Sequence, residues 1–159
     1  MKTRALIAIA ATVLSASTIS QHSFGAAQSD ACKLVTTAQV SAAVGFTVGD
    51  GTHVTPTFVK TCTWSASGGT GVQTVTLLLE TGAFFDGAKR QTSFATAAGA
   101  SVKSAGVGDD SYYLVTGTNV DLWVKKGGNA FKVAVYKQLP VNQKQDLELA
   151  LAKQVVPKL

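Results

Sequence analysis

The first 27 residues restrict the fold more than any other feature of this chain, because they have the organisation of a secretory signal peptide. A basic head at residues 1–4 precedes an uncharged apolar run at residues 5–14, and a small, polar stretch ends at Ala27. We predict cleavage after Ala27, with cleavage after Gly25 as the alternative. Residues 28–159 then form one domain by size, in a secreted or periplasmic location.

The apolar run does not anchor the chain, because a membrane-spanning helix needs about 20 apolar residues. We therefore predict no transmembrane anchor after processing. Attachment of a lipid at Cys32 is the alternative, because this cysteine lies near the predicted mature start. The preceding triplet Ser29-Asp30-Ala31 disfavours it, since the triplet lies far from the apolar run and contains an acid.

Cys32 and Cys62 are the only two cysteines. In an exported chain they allow one intramolecular pairing, and we predict a disulfide between them. It closes a loop of about 31 residues and stabilises the fold by roughly 3.5–4 kcal/mol in the chain-entropy model. The alternatives are an intermolecular bond, a redox role and a metal site. We expect a monomer.

The charge of the chain gives no support for nucleic-acid binding. The formal net charge is +5 at pH 7, and loss of Lys2 and Arg4 with the signal peptide lowers it to +3. Arg90 is then the only arginine, and the lysines are scattered rather than clustered. Nucleic-acid interfaces concentrate their charge and favour arginine, so we expect none here.

Hydrophobic patterning predicts an α+β fold with a single antiparallel sheet of about five strands and three helices packed on it, in the order αββαβββα. A first helix follows Thr36-Thr37, with a threonine as its N-cap, and ends at Gly45. Residues 58–66 alternate, with Cys62 and Trp64 on one face, and form a hairpin with residues 72–80 through the Gly68–Gly71 turn.

The second half of the chain supplies the remaining elements. A helix is predicted over residues 84–98, followed by strands at 111–116, 120–125 and 130–137, the last two joined by a glycine-rich turn. A final helix, capped by Asn142, presents Leu147, Leu151 and Val155 on one face and ends near Val156 because Pro157 lacks an amide hydrogen.

His53 is the one candidate for acid–base catalysis. It is the only histidine in residues 28–159, and Asp50 lies three residues before it. An Asp/His couple with a nearby serine would suit a hydrolase, but no Gly-x-Ser-x-Gly nucleophile turn exists in this chain. We therefore predict no catalytic residues, no bound cofactor and no metal ligands.

Five other residues are candidates for binding. The adjacent acids Asp109 and Asp110 could hold a hard cation such as calcium, but their glycine-rich surroundings favour a tight turn. Trp123 lies on the strand face opposite its apolar neighbours, and it is exposed if helices cover only one side of the sheet. Together with Tyr112 or Tyr113 it would then form a surface for a glycan or a protein partner.

Three segments resemble one class of bacterial proteins. They are Cys32 before a short helix that ends at Gly45 and is followed by Cys62-Thr63-Trp64, the segment Gly106 to Tyr113, and the segment Leu122 to Gly127. The pattern is similar to small exported proteins and lipoproteins of a domain-of-unknown-function type, common in actinobacteria. It also resembles the extracellular sensor domains of bacterial kinases and the Mog1/PsbP-like α+β fold. The resemblance implies a fold and an export address, and it supplies no active site.

These observations favour an exported, non-enzymatic domain that binds a small ligand, an envelope component or a protein partner. One alternative is a small exported hydrolase that uses His53. The other is a structural or inhibitor-like protein that acts through an exposed strand edge or through the surface around Trp123.

Overall fold

Seven strands form one antiparallel sheet in the computed structural model, which describes residues 30–66, 68 and 71–159. Their order across the sheet is β1-β2-β3-β7-β6-β5-β4, so the hairpins β2–β3 and β6–β7 meet at its centre. The strands are β1 (Thr52–His53), β2 (Thr61–Ser65), β3 (Thr74–Thr81), β4 (Ser101–Ser104), β5 (Asp110–Thr116), β6 (Asn119–Lys126) and β7 (Asn129–Tyr136).

Five helical segments and a short 3-10 turn complete the described part. The helices are α1 (Ala31–Leu34), α2 (Thr37–Val44), α3 (Gly82–Arg90), α4 (Thr92–Ala97) and α5 (Val141–Val155), and the 3-10 turn is Val156–Lys158. The predicted threonine cap of helix α2 is Thr36, which forms a reciprocal capping box with Gln39. It ends as predicted at Gly45, whose φ of 70° suits a residue without a Cβ.

The main core lies between one face of the sheet and helices α2 and α5. Strand alternation directs Leu77, Leu122 and Val133 toward this face, where they are neighbours in register and have no exposed surface. Leu151 and Val155 of α5 pack on them from above. The alternation predicted for residues 120–125, with Trp123 on the face opposite its apolar neighbours, is therefore confirmed.

The opposite face of the sheet is covered only in part. Helix α3 lies over β3, β6 and β7 and buries Phe85 against Tyr112 and Ala130, forming a second, smaller core. Phe84, from the same helix, keeps 49% of its surface exposed. Helices thus lie on both faces, with unequal coverage.

The α+β class and the single antiparallel sheet are confirmed, whereas the predicted five strands and three helices are wrong. The described residues contain the extra strands β1 and β4, which are two and four residues long. Val102 is the only apolar residue of β4, so no apolar alternation marked this strand in the sequence. The helix predicted at 84–98 begins earlier and is interrupted at Gln91, and α1 is a single turn.

The start of the last helix also needs correction. Helix α5 begins at Val141 after Pro140, so Asn142 lies inside its first turn and does not cap it. Its end before Pro157 is confirmed. The predicted signal peptide lies outside the described residues, as do residues 69 and 70 of the predicted Gly68–Gly71 turn.

Candidate functional site

Two of the three predicted aromatic residues lie together on the partly covered face. The rings of Trp123 and Tyr112 are 6.5 Å apart between centroids, and Phe84 stacks on Trp123 at 5.9 Å. We call Phe84, Tyr112 and Trp123 the aromatic surface. The third predicted residue, Tyr113, is buried on the other face, where its hydroxyl donates to the carbonyl of Gln145 at 3.0 Å.

Charged side chains border the aromatic surface. The Lys132 ammonium lies 5.7 Å from the centre of the Trp123 ring, a cation–π distance, and 3.3 Å from the Asp121 carboxylate. Burial, aided by the charges of Asp110 and Asp121, raises the pKa of Tyr112 to about 12. Tyr112 is only 3% exposed, so the expectation that it is accessible beside Trp123 is wrong, and Phe84 and Trp123 supply the accessible ring surface.

Asp109 and Asp110 each have a lysine partner. Asp109 accepts hydrogen bonds from the Gly127 amide and the Lys126 ammonium, both at 2.7 Å. The hydrogen bond from the Gly127 amide is the main cause of the lowered pKa of Asp109, and the hydrogen bond from Lys126 also lowers it. Asp110 accepts from Lys89 at 2.6 and 2.7 Å. The two carboxylates thus bind separate lysines on separate elements, an arrangement that suits a turn.

Gly108 explains why this turn is tight. Its φ is 70°, and a Cβ built on it would lie 2.5 Å from the Lys125 carbonyl oxygen. The next amide, that of Asp109, donates to the same carbonyl at 2.9 Å. A side chain at position 108 is therefore excluded by both conformation and space.

The predicted disulfide joins Cys32 of α1 to Cys62 of β2. His53 lies beside it, opposite Cys62 in the β1–β2 register, and its Nε2 is 2.7 Å from the Asp30 Oδ1. We call Asp30, Cys32, His53 and Cys62 the edge cluster. The hydrogen bond with His53 is the main cause of the lowered pKa of Asp30.

The partner of His53 is therefore Asp30 and not Asp50, the residue considered from the sequence. The Asp50 carboxylate instead accepts a hydrogen bond from the Thr37 hydroxyl at 3.1 Å. Asp30 also caps helix α1 by accepting from the Cys32 amide at 2.9 Å. The carboxylate that orients His53 thus belongs to a segment 23 residues away in sequence.

A different site, which sequence reasoning missed, lies where the two central strands separate. The register between β6 and β7 ends at Leu122 and Val133. Beyond that pair, β6 continues along β5 to Asn119, whereas β7 continues along β3 to Tyr136. The sheet is therefore split at this end, and α5 lies across the split.

Two polar side chains of α5, one helical turn apart, bridge the split. Glu148 Oε1 accepts from the Val135 amide of β7 at 3.0 Å, and Lys144 Nζ donates to the Thr118 carbonyl between β5 and β6 at 2.7 Å. Glu148 has no exposed surface and Lys144 has 5%. We call these two residues the split cluster.

Glu148 keeps unused hydrogen-bonding capacity. Its second oxygen, Oε2, is buried and has no hydrogen-bond partner among the described residues. Burial raises the pKa of this carboxyl group to about 9, although the Val135 amide opposes the shift. Glu148 is therefore protonated at neutral pH. A carboxyl group with a shifted pKa beside a cleft is typical of functional sites.

An open groove of about 950 Å³ lies at the same end of the sheet. Glu148 does not line the groove, but Lys144, one turn earlier on α5, does, and Val135, whose amide donates to Glu148, precedes the groove residue Tyr136. None of the described residues that line the groove is acidic. Its polar lining residues are Gln73, Thr118, Asn119, Tyr136, Lys137, Gln138 and Lys144.

A signal for the split cluster was present in the sequence. Positions 144, 148, 151 and 155 follow helical spacing, so a lysine and a glutamate occupy the same stripe as Leu151 and Val155. Charged residues on an apolar stripe are unusual and mark buried polar contacts. The prediction of the core face of this helix used only its apolar residues, so it did not include Lys144 and Glu148.

Comparison of this chain with protein-family models, with curated proteins and with solved structures found no match. The resemblance to exported bacterial proteins therefore stays a prediction. Within the part of the chain that the structure describes, none of the helices is long and apolar enough to cross a membrane.

Proposed function

We propose that this protein is an exported, non-enzymatic binding domain that holds a small anionic ligand in the groove at the split end of the sheet. The observation that carries the proposal is the lining of this groove, which contains Lys137 and Lys144 and no acidic residue among the described residues. The Cys32–Cys62 disulfide supports export, because such bonds persist in oxidising compartments.

The charge of the groove defines the ligand class. Lys137 and Lys144 line it together with amide side chains, and no acidic side chain from the described residues faces them. The protonated Glu148 adds no negative charge near neutral pH. Amides and ammonium groups donate hydrogen bonds to carboxylate and phosphate oxygens, so small carboxylates and phosphates suit the groove best.

The proposal is tested by calorimetry and thermal unfolding with inorganic phosphate and citrate as probes. A ligand that binds only the folded state raises the melting temperature. We expect one probe to bind the wild-type protein and to bind Lys137→Gln at least about tenfold more weakly, because one charge-assisted contact contributes about 1.5–3 kcal/mol. Lys153→Gln, which removes the same charge from an exposed position of α5, should bind like wild type.

Two results would contradict the proposal. One is the absence of binding by either probe at millimolar concentration. The other is equal weakening in Lys137→Gln and Lys153→Gln, which would reflect net charge rather than the groove.

A hydrolase that uses His53 is the second candidate, and the Asp30–His53 hydrogen bond favours it. An aspartate that accepts from a histidine orients the ring for proton transfer. The hydrogen bonds of the described residues join no serine to His53, however. Loss of a measurable ester-hydrolysis rate in His53→Ala would establish this candidate in place of the first, and an unchanged rate would reject it.

The aromatic surface supports a third candidate, a protein-binding role. Phe84 is 49% exposed although it stacks on Trp123, and exposed apolar patches mark contact surfaces. Cross-linking in an envelope extract should then capture one partner with wild type and lose it with Phe84→Ser. Capture of the same partner by Phe84→Ser would exclude the aromatic surface as its binding site.

A further inference from the structure

The edge cluster contains four groups that bind metals when they are deprotonated. The ligand atoms of Asp30, Cys32 and His53 all lie within 4.8 Å of one another. Cys62 is bonded to Cys32, so its sulfur lies in the same place. The set comprises two sulfurs, one imidazole nitrogen and one carboxylate oxygen, which is a donor combination that zinc accepts in tetrahedral geometry.

We propose that reduction of the Cys32–Cys62 disulfide converts the edge cluster into a zinc site with Cys32, Cys62, His53 and Asp30 as its four ligands. The oxidised form lacks the site, because thiolates and not disulfide sulfurs bind zinc. The redox state of one cysteine pair thus selects between a covalent cross-link and a metal centre. This inference does not depend on the groove or on its ligand.

The chemistry balances with a dithiol as the reductant. Two electrons and two protons pass from the dithiol to the sulfur–sulfur bond, so the dithiol becomes a disulfide and Cys32 and Cys62 become thiols. Zinc then displaces the two thiol protons, which are released to water. The Asp30–His53 hydrogen bond gives way to one metal bond from each side chain.

Backbone contacts independent of the disulfide hold the ligands near one another. The Ala31 amide donates to the Val59 carbonyl at 2.9 Å, which ties the start of α1 to the segment before β2. His53 is paired directly with Cys62 across the β1–β2 ladder. These contacts do not involve the sulfur–sulfur bond, so in a reduced chain that stays folded the donors need to move only by side-chain rotation.

The distances and the exposure both suit an ion. Zinc binds sulfur at about 2.3 Å and nitrogen or oxygen at about 2.0–2.2 Å, so donors around one zinc lie roughly 3–4 Å apart. The three donors now lie within 4.8 Å of one another. The side chains of His53 and Asp30 are 24% and 18% exposed, which leaves a route from solvent for the ion.

The test compares zinc binding by the oxidised and the reduced full chain. The reductant is a phosphine, which becomes a phosphine oxide, and zinc is measured by competition with a chromophoric chelator. We expect one zinc per reduced chain and none per oxidised chain. Cobalt should replace zinc and give the strong thiolate-to-metal absorption of a tetrahedral site.

Two variants locate the site. His53→Ala should weaken zinc binding by the reduced chain by about tenfold or more, because removal of supporting residues around metal ligands already has effects of 10–100-fold. Asp50→Ala is the matched control, since this carboxylate is near His53 in sequence but binds Thr37 instead. Absence of stoichiometric zinc binding by the reduced chain, or equal affinity in His53→Ala and wild type, would overturn the proposal.

Circular dichroism keeps the test decisive if reduction unfolds the chain. Zinc should then restore the folded spectrum of the reduced wild type and fail to restore that of reduced His53→Ala. Zinc that leaves the reduced wild type unfolded, or that refolds both chains equally, would also overturn the proposal.

Discussion

The edge cluster and the split cluster both place a carboxylate where two segments of the chain meet, but they differ in how well that carboxylate is satisfied. Asp30 is partly exposed, accepts from His53 and from the Cys32 amide, and has a lowered pKa. Glu148 is fully buried, accepts one hydrogen bond and has a pKa raised to about 9. The carboxylate of Asp30 is stabilised by its contacts, whereas one oxygen of the Glu148 carboxyl group is buried without a hydrogen-bond partner among the described residues.

The comparison shows that a visible motif and a chemically unsatisfied site need not coincide. The sequence suggested a pair between Asp50 and His53 because the two residues are close along the chain. The structure pairs His53 with Asp30 instead. Lys144 and Glu148 belong to no motif. Their position on α5 becomes meaningful only because the helix crosses a split between two strands.

Loss of the disulfide should have the largest effect on the free energy of unfolding. It tests how much the covalent bond between α1 and β2 contributes to stability. The variant Cys32→Ala/Cys62→Ala should lose about 3.5–4 kcal/mol of unfolding free energy, because the bond restricts a loop of about 31 residues in the unfolded chain. Urea unfolding at neutral pH measures this loss. A loss below about 1 kcal/mol would mean that backbone pairing alone secures α1 to β2.

The second prediction concerns the pH dependence that Glu148 imposes. A carboxyl group whose pKa is raised on folding keeps its proton in the folded state after the unfolded state has lost it. Unfolding free energy should therefore fall between about pH 4.5 and pH 9, by up to roughly 1.4 kcal/mol per pH unit. The contribution is most favourable below pH 4.5.

Glu148→Gln removes this dependence and keeps the acceptor for the Val135 amide. It should match wild type near pH 4.5 and exceed it by about 3 kcal/mol at pH 7. Urea unfolding across this pH range measures the difference. Parallel curves for the two proteins would show that Glu148 is ionised in the folded state.

A substitution at Gly51 tests how closely the edge is packed. A Cβ at this position would lie 2.6 Å from both the Cys62 Sγ and the Trp64 Nε1, so Gly51→Ala should lose about 1–3 kcal/mol. Gly49→Ala is the matched control, since its Cβ would lie 3.7 Å from the Ser65 carbonyl oxygen. Thermal unfolding of the two variants should separate them clearly, and equal stability would contradict the close packing.

The smallest effect is expected from the Asp30–His53 hydrogen bond of the edge cluster. His53→Ala in the oxidised protein should lose no more than about 1 kcal/mol, because partly exposed pairs contribute little. The lowered pKa of Asp30 makes this contribution present above about pH 4 and lost as the pH falls through the folded-state pKa. Urea unfolding of wild type and His53→Ala at pH 7 and pH 3 checks this. A larger loss of stability at pH 3 than at pH 7 would contradict the lowered pKa of Asp30.

The strongly alternating elements could be predicted without coordinates. Cys62 and Trp64 on β2, and Leu122 and Val124 on β6, have the same buried face in the structure as in the pattern. Strands β1 and β4 could not be predicted, because they are short and lack that alternation. Their pairing depends on neighbouring strands that local sequence does not specify.

Sequence alone determined the elements that carry their own signal, namely the capped helix from Thr37 to Val44, the amphipathic strands and the pairing of the only two cysteines. These follow from local backbone preferences, from side-chain periodicity and from simple counting. Tertiary structure decided which acid bonds His53, where β6 and β7 separate and why Glu148 is buried. Each of these depends on the distance between groups that are remote along the chain, and that distance exists only once the sheet and helix α5 have packed together.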